Sequence, residues 1–125
     1  MAKVTGLGGL FYKTADVAKS QAWYRDMLGV GGEYGAMFAF KDDDPEGFSL
    51  LTPFAADSDY FAPSDHQFMI NLRVDDLDEF VADLEAKGIA ILGRQDDDYG
   101  RFAWIVDPDG VKVELYQQGR TEEQS

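Results

Sequence analysis

Asp107-Pro108-Asp109-Gly110-Val111-Lys112-Val113-Glu114-Leu115 is the stretch that decides the fold. Asp-Pro-Asp-Gly is a tight turn, since proline presets φ and glycine supplies the left-handed position. The apolar positions after it read as a strand that continues to Gln117. Ahead of it, Phe102 to Val106 is a second strand, so the segment is a hairpin. The first half of the chain carries the same order: Phe38-Ala39-Phe40, then the turn Pro45-Glu46-Gly47, then a returning strand from Phe48 to Thr52.

The correspondence extends upstream. Leu7 to Lys13 is strand-like, although Gly8 and Gly9 weaken it. Thr14 or Asp16 can cap a following helix, whose face is Val17, Ser20, Tyr24, Met27 and Leu28 and whose stop is Gly29. Ala36 to Lys41 is the next short strand. In the second half, Phe68 to Val74 is a strand and Asp75-Asp76 opens a helix. Its apolar face is Leu77, Phe80, Val81 and Leu84, and Gly88 stops it. Ile89 to Leu92 reads as a strand, and Asp96-Asp97-Asp98 as a solvated loop. Asp16 and Asp76 are 60 residues apart, Gly29 and Gly88 are 59 apart, and Pro45 and Pro108 are 63 apart. A repeat of this length is one supersecondary unit used twice, and neither copy is large enough to bury a core alone. The expected class is α+β, with two tandem βαβββ modules forming a curved sheet cup and the helices outside. The modules are 4–54 and 66–118 of a single domain spanning 1–125. Residues 55–65 are the linker and 119–125 a frayed tail. Tyr60 and Phe61 are too apolar for a free linker and are expected to fold back onto the cleft or a partner.

Composition narrows the partners. A net charge of −13 on 125 residues disfavours nucleic acid and anionic membrane surfaces and draws cationic ligands over long range. The absence of cysteine excludes disulfides and thiolate metal sites. No apolar run approaches membrane-spanning length, and Met1-Ala2-Lys3 leads into no signal-like apolar stretch. The expectation is a soluble cytoplasmic protein.

The βαβββ repeat resembles the vicinal oxygen chelate superfamily, which includes glyoxalase I, extradiol dioxygenases and bleomycin resistance proteins. The resemblance rests on Ala15-Asp16 ahead of Trp23-Tyr24-Arg25-Asp26-Met27-Leu28-Gly29, together with the Asp107–Leu115 segment. It implies the fold more strongly than any reaction, because one fold hosts many chemistries. Metal-dependent members hold a divalent ion through one side chain from the first and one from the last strand of each module. Counting seven residues back from the helix-start Asp gives Gly9 and Met69. Counting four on from the turn Gly gives Leu51 and Glu114. Three of these four positions carry no suitable ligand, and a lone carboxylate cannot compensate the dehydration of a divalent ion. The single histidine, His66, is three residues from Met69 and points the other way on a strand. The resemblance therefore implies a member with no metal and no other cofactor.

Strand alternation from those positions populates the cleft. Gly9 brings Leu7, Phe11 and Lys13; Met69 brings Asn71 and Arg73; Leu51 brings Ser49; Glu114 brings Lys112 and Tyr116. Tyr60 and Trp104 are candidate aromatic covers. The candidate ligand-binding set is Phe11, Lys13, Ser49, Leu51, Tyr60, Met69, Asn71, Arg73, Trp104 and Tyr116. Glu114 is the candidate catalytic residue and has three readings. It can be a structural carboxylate paired with Arg73, an anchor for a cationic or hydroxylated ligand, or a general base with a pKa raised by desolvation. Three functions stay open: a metal-independent binding protein for a small organic ligand, a lyase or isomerase with Glu114 as base, and an accessory subunit whose own side chains fill the cleft. The resemblance also implies a homodimer.

Overall fold

Asp16 and Asp76 each sit in extended backbone, and each accepts a hydrogen bond from the backbone N–H three residues on, Lys19 at 3.0 Å and Glu79 at 3.1 Å. Such a cap satisfies an otherwise orphaned helix donor and is worth about 1 kcal/mol. These caps start helix α1 (Val17–Trp23) and helix α2 (Leu77–Ala86). A wider, π-helical turn (Tyr24–Leu28) prolongs α1, and Gly29 ends it at φ 72°. A side chain at that φ would strain the backbone. The computed structural model describes residues 10, 14–32, 36 and 54–119. The strands expected at 7–13, 36–41 and 48–52 lie, apart from Leu10 and Ala36, outside the described residues.

The second half forms a four-stranded mixed sheet: β1 (Ile70–Arg73), β2 (Gly93–Asp97), β3 (Gly100–Val106) and β4 (Lys112–Gln118), in the order β1-β4-β3-β2. The outer pair β1–β4 is parallel because α2 carries the chain across the sheet, and the other pairings are antiparallel hairpins. The architecture is α+β.

Alternation divides the sheet into two faces. One carries Ile70, Ala103, Ile105, Val113 and Leu115, which pack with Leu77, Val81 and Leu84 of α2. Leu77, Leu84, Ile105 and Leu115 are fully buried, and each large aliphatic side chain so buried contributes about 1.5–3 kcal/mol. Leu28 joins this core, with Trp23, Tyr24 and Met27 packed against it.

A second link joins the two halves. The Tyr24 hydroxyl donates to Asp107 Oδ2 at 2.7 Å, while Asp107 Oδ1 accepts the N–H groups of Asp109 and Val111, both at 2.9 Å. Asp107, 4% exposed, thus builds the turn from within and ties it to the first helix.

Three local expectations change. Ile89 to Leu92 is not a strand; β2 begins at Gly93 and includes Asp96 and Asp97, which were expected in a loop. An edge strand needs little burial, and its charges blunt sheet-to-sheet pairing, so its polar sequence masked it. β1 is shorter than the expected Phe68 to Val74. Around β2, Arg94 and Arg101 converge on Asp78 of α2 at 2.8 and 2.9 Å.

Candidate functional site

The sheet face turned away from α2 gathers the polar and aromatic positions. Register sets Glu114 between Asn71 on β1 and Trp104 on β3, and Tyr116 between Arg73 and Phe102. Glu114 is 6% exposed. Its Oε1 accepts Asn71 Nδ2 at 2.8 Å, and its Oε2 accepts Trp104 Nε1 at 2.7 Å and the Tyr60 hydroxyl at 2.5 Å. An ionised carboxylate is purely an acceptor with about four lone-pair sites, so three are filled by the chain itself. Burial first, then the Glu114 carboxylate, push the Tyr60 phenol well above its ordinary range, so the hydroxyl keeps its proton and donates it.

Lys112 flanks the carboxylate two residues back on β4. Its ammonium donates to the Tyr60 carbonyl at 2.5 Å and lies 5.0 and 5.3 Å from the ring centres of Tyr60 and Trp104. Burial lowers its pKa; Glu114 and Asp59 act in the opposite direction. Cation–π attraction offsets part of that desolvation.

The rings form a row across the strands. Phe102 stacks with Tyr116 (5.0 Å, 22°) and lies nearly parallel to Trp104 (6.4 Å, 7°). Tyr60 meets Trp104 edge to face (6.1 Å, 87°) and continues into Phe54 and Phe61. Tyr116 can lie against β3 because Gly100 has no side chain: a Cβ there would run into the Gln117 carbonyl and the Tyr116 ring. The Tyr116 hydroxyl then reaches the Tyr99 carbonyl at 3.0 Å. The result is a shelf of π-faces beside one buried anion and one buried cation.

Among the described residues, the donors at the expected ligand positions do not fit a divalent ion. Glu114 is committed to three hydrogen bonds, and Met69 offers only a thioether. Among the described residues no group of three or more His, Asp or Glu side chains could hold a metal ion. His66 lies in a bend, with Nε2 2.8 Å from the Asp109 carbonyl oxygen.

The model of the Glyoxalase/Bleomycin resistance protein/Dioxygenase superfamily matches residues 7–115. The chain belongs to this superfamily. Similar solved structures share its fold at low identity. The fosfomycin resistance protein FosX from Listeria monocytogenes is 15% identical with a TM-score of 0.60, covering 98% of this chain and 100% of that one. A protein from the mobile metagenome of V. Pseudocholerae is 17% identical with a TM-score of 0.59, covering 96% and 99%. TnmS3, an antibiotic binding protein from Streptomyces sp. CB03234, is 22% identical with a TM-score of 0.50, covering 84% and 88%.

Within this glyoxalase-superfamily fold, Tyr60, Asn71, Trp104 and Glu114 come together. Arg73 and Tyr116 lie one pair further along the same face, and Met69 directly precedes β1. Phe11, Lys13, Ser49 and Leu51 lie outside the described residues. In the register Glu114 stands level with Asn71, not with Arg73, the partner in one of its three readings. Arg73 is level with Tyr116, and its charge acts on that phenol. Phe102 was missed, though its offset of two from Trp104 puts it on the same face. Phe54 carried no signal in the sequence. No helix among the described residues is long and apolar enough to cross a membrane.

Proposed function

We propose that this superfamily member is a metal-independent binding protein that holds a small organic ligand against the aromatic shelf. The observation that supports it is the state of Glu114. Alone among the four ligand positions it keeps a hard donor, and it is engaged by Tyr60, Asn71 and Trp104. A general base needs a free lone pair about 3 Å from the substrate proton. A carboxylate already taking three donors is better suited to fix the surrounding side chains, and so to preorganise a binding surface. Stacked rings with a few oriented polar groups are the usual makeup of an organic-ligand site. The net charge of −13 favours the approach of cationic compounds, while the shelf selects by stacking and by hydrogen bonds at Lys112.

The test is native mass spectrometry of the protein isolated from cells, followed by a thermal-shift panel of planar organic compounds and turnover assays on those that bind. Stabilisation with no product supports the binding reading. Turnover abolished by Glu114→Gln with affinity retained would establish the lyase or isomerase alternative instead. Stoichiometric zinc or nickel retained through chelator-treated buffer would overturn metal independence.

A further inference from the structure

Tyr60 makes more contacts with the shelf than a neighbouring loop residue requires. Its ring meets Trp104 edge to face, its hydroxyl donates to Glu114 and its own carbonyl accepts from Lys112. Glu114 and Lys112 project from the same face of β4 two residues apart, so the two polar groups are about 7 Å apart along the strand. Tyr60 spans that separation with one ring, one hydroxyl donor and one carbonyl acceptor. It does so from a segment outside the sheet, in which Phe54 and Phe61 pack on Tyr60 and, among the described residues, Tyr60 alone makes the ring contact with the shelf, at Trp104. Tyr60 itself is 37% exposed, so it can leave without dismantling the core.

We propose that Tyr60 occupies a ligand subsite as an internal surrogate, and that the chemistry it presents names the ligand class: hydroxyaryl compounds with a carbonyl group spaced from the ring as in tyrosine. This rests on the binding-protein reading above. The ligand's phenol takes over the Glu114 Oε2 position, and its ring takes over the contact with Trp104. Its carbonyl accepts from Lys112, whose ammonium has three donors. The displaced 54–64 segment then folds over the ligand as a cover. A ring without the hydroxyl leaves a buried acceptor short of one donor, and the site discriminates against it for that reason.

The probe is the amide of para-hydroxyphenylpropionic acid, which reproduces the ring-to-carbonyl spacing of Tyr60; phenylpropionamide is the control. Binding is read from the indole N–H resonance of Trp104, whose proton points at Glu114. Tyr60→Ala empties the subsite and is expected to bind the hydroxylated probe roughly tenfold or more tightly than wild type, with a similar margin over the control, since the margin is one hydrogen bond to a charged acceptor. Tyr60→Phe keeps the ring and frees only the acceptor, so its affinity falls between the two. If Tyr60→Ala does not fold, Tyr60→Phe must still exceed wild type. Equal affinity for probe and control, equal affinity of wild type and the folded variants, or no binding to either folded variant overturns the proposal. If the hydroxylated probe fails while another compound of the thermal-shift panel binds wild type, only the ligand class and the surrogate role fall. If nothing binds at all, the binding-protein reading falls with them.

Discussion

Replacing Glu114 by alanine tests the hydrogen-bond accounting at the centre of the site. The carboxylate takes donors from Tyr60, Asn71 and Trp104. Removing it orphans all three, but the three losses differ. Asn71 is exposed and Tyr60 is 37% exposed, so both can turn to water. The indole N–H of Trp104 is held within the ring row and has less recourse. One retained penalty of about 1–3 kcal/mol is therefore expected, not three. For a chain of this size, about 4 °C is lost per kcal/mol, so Tm should fall by roughly 4–12 °C. Glu114→Gln should behave differently. Its amide oxygen can take Tyr60 and Trp104, and its NH₂ can donate to the Asn71 amide once that group flips. The loss should stay under roughly 1 kcal/mol, because only charge assistance disappears. Differential scanning calorimetry measures both. An alanine variant within about 1 °C of wild type would refute the network, on the same scale. A glutamine variant as unstable as alanine would show that the charge, not the acceptor count, holds the site together.

Three further outcomes follow from individual contacts. Tyr24→Phe removes the one sequence-distant donor on buried Asp107 among the described residues, which costs about 1–3 kcal/mol and shows as a lower urea midpoint with unchanged m-value. Tyr60 has a folded pKa above its unfolded value of about 10, so the stability it contributes is complete below that pH and is lost as pH rises beyond it. Urea melts across alkaline pH should therefore steepen in wild type and flatten in Tyr60→Phe; identical profiles would contradict the assignment. Asp78 is held below the usual carboxylate range, first by Arg101 and then by Arg94, so its contribution is present above the unfolded pKa and fades as pH falls through the folded one. Asp78→Asn should remove part of the acid-side loss of stability, and about 1 M salt should mask the difference because the group lies at the surface.

Sequence patterns carried the helices well, because their signals are local. The Asp16 and Asp76 caps and the Gly29 and Gly88 stops each depend on a few adjacent residues, and Gly29 and Gly88 adopt the left-handed φ that such stops need. β2 was misplaced for the opposite reason. Nothing in Gly93-Arg94-Gln95-Asp96-Asp97 is strand-like, and its pairing comes from β3 across the hairpin. The apolar run Ile89 to Leu92 was the more attractive local pattern, and local pattern does not decide edge strands.

Glu114 shows where alternation stops and register begins. Period-two reasoning put Asn71, Arg73, Lys112, Glu114 and Tyr116 on one face, and all five share it. Which residue stands beside which depends on how far β1 slides along β4, and no side chain in either strand announces that offset. Charge complementarity favoured Arg73 as the partner, whereas the register supplies Asn71. The difference changes the chemistry. An arginine beside Glu114 would make the centre an ion pair, neutral and self-contained. An amide, an indole and a phenol instead leave the negative charge in place while occupying three of its lone pairs. Of those three donors, only the phenol comes from outside the sheet, on a partly exposed side chain. On the proposed binding role, the site is therefore most easily opened at Tyr60, and the energetics of that one hydroxyl set what can enter.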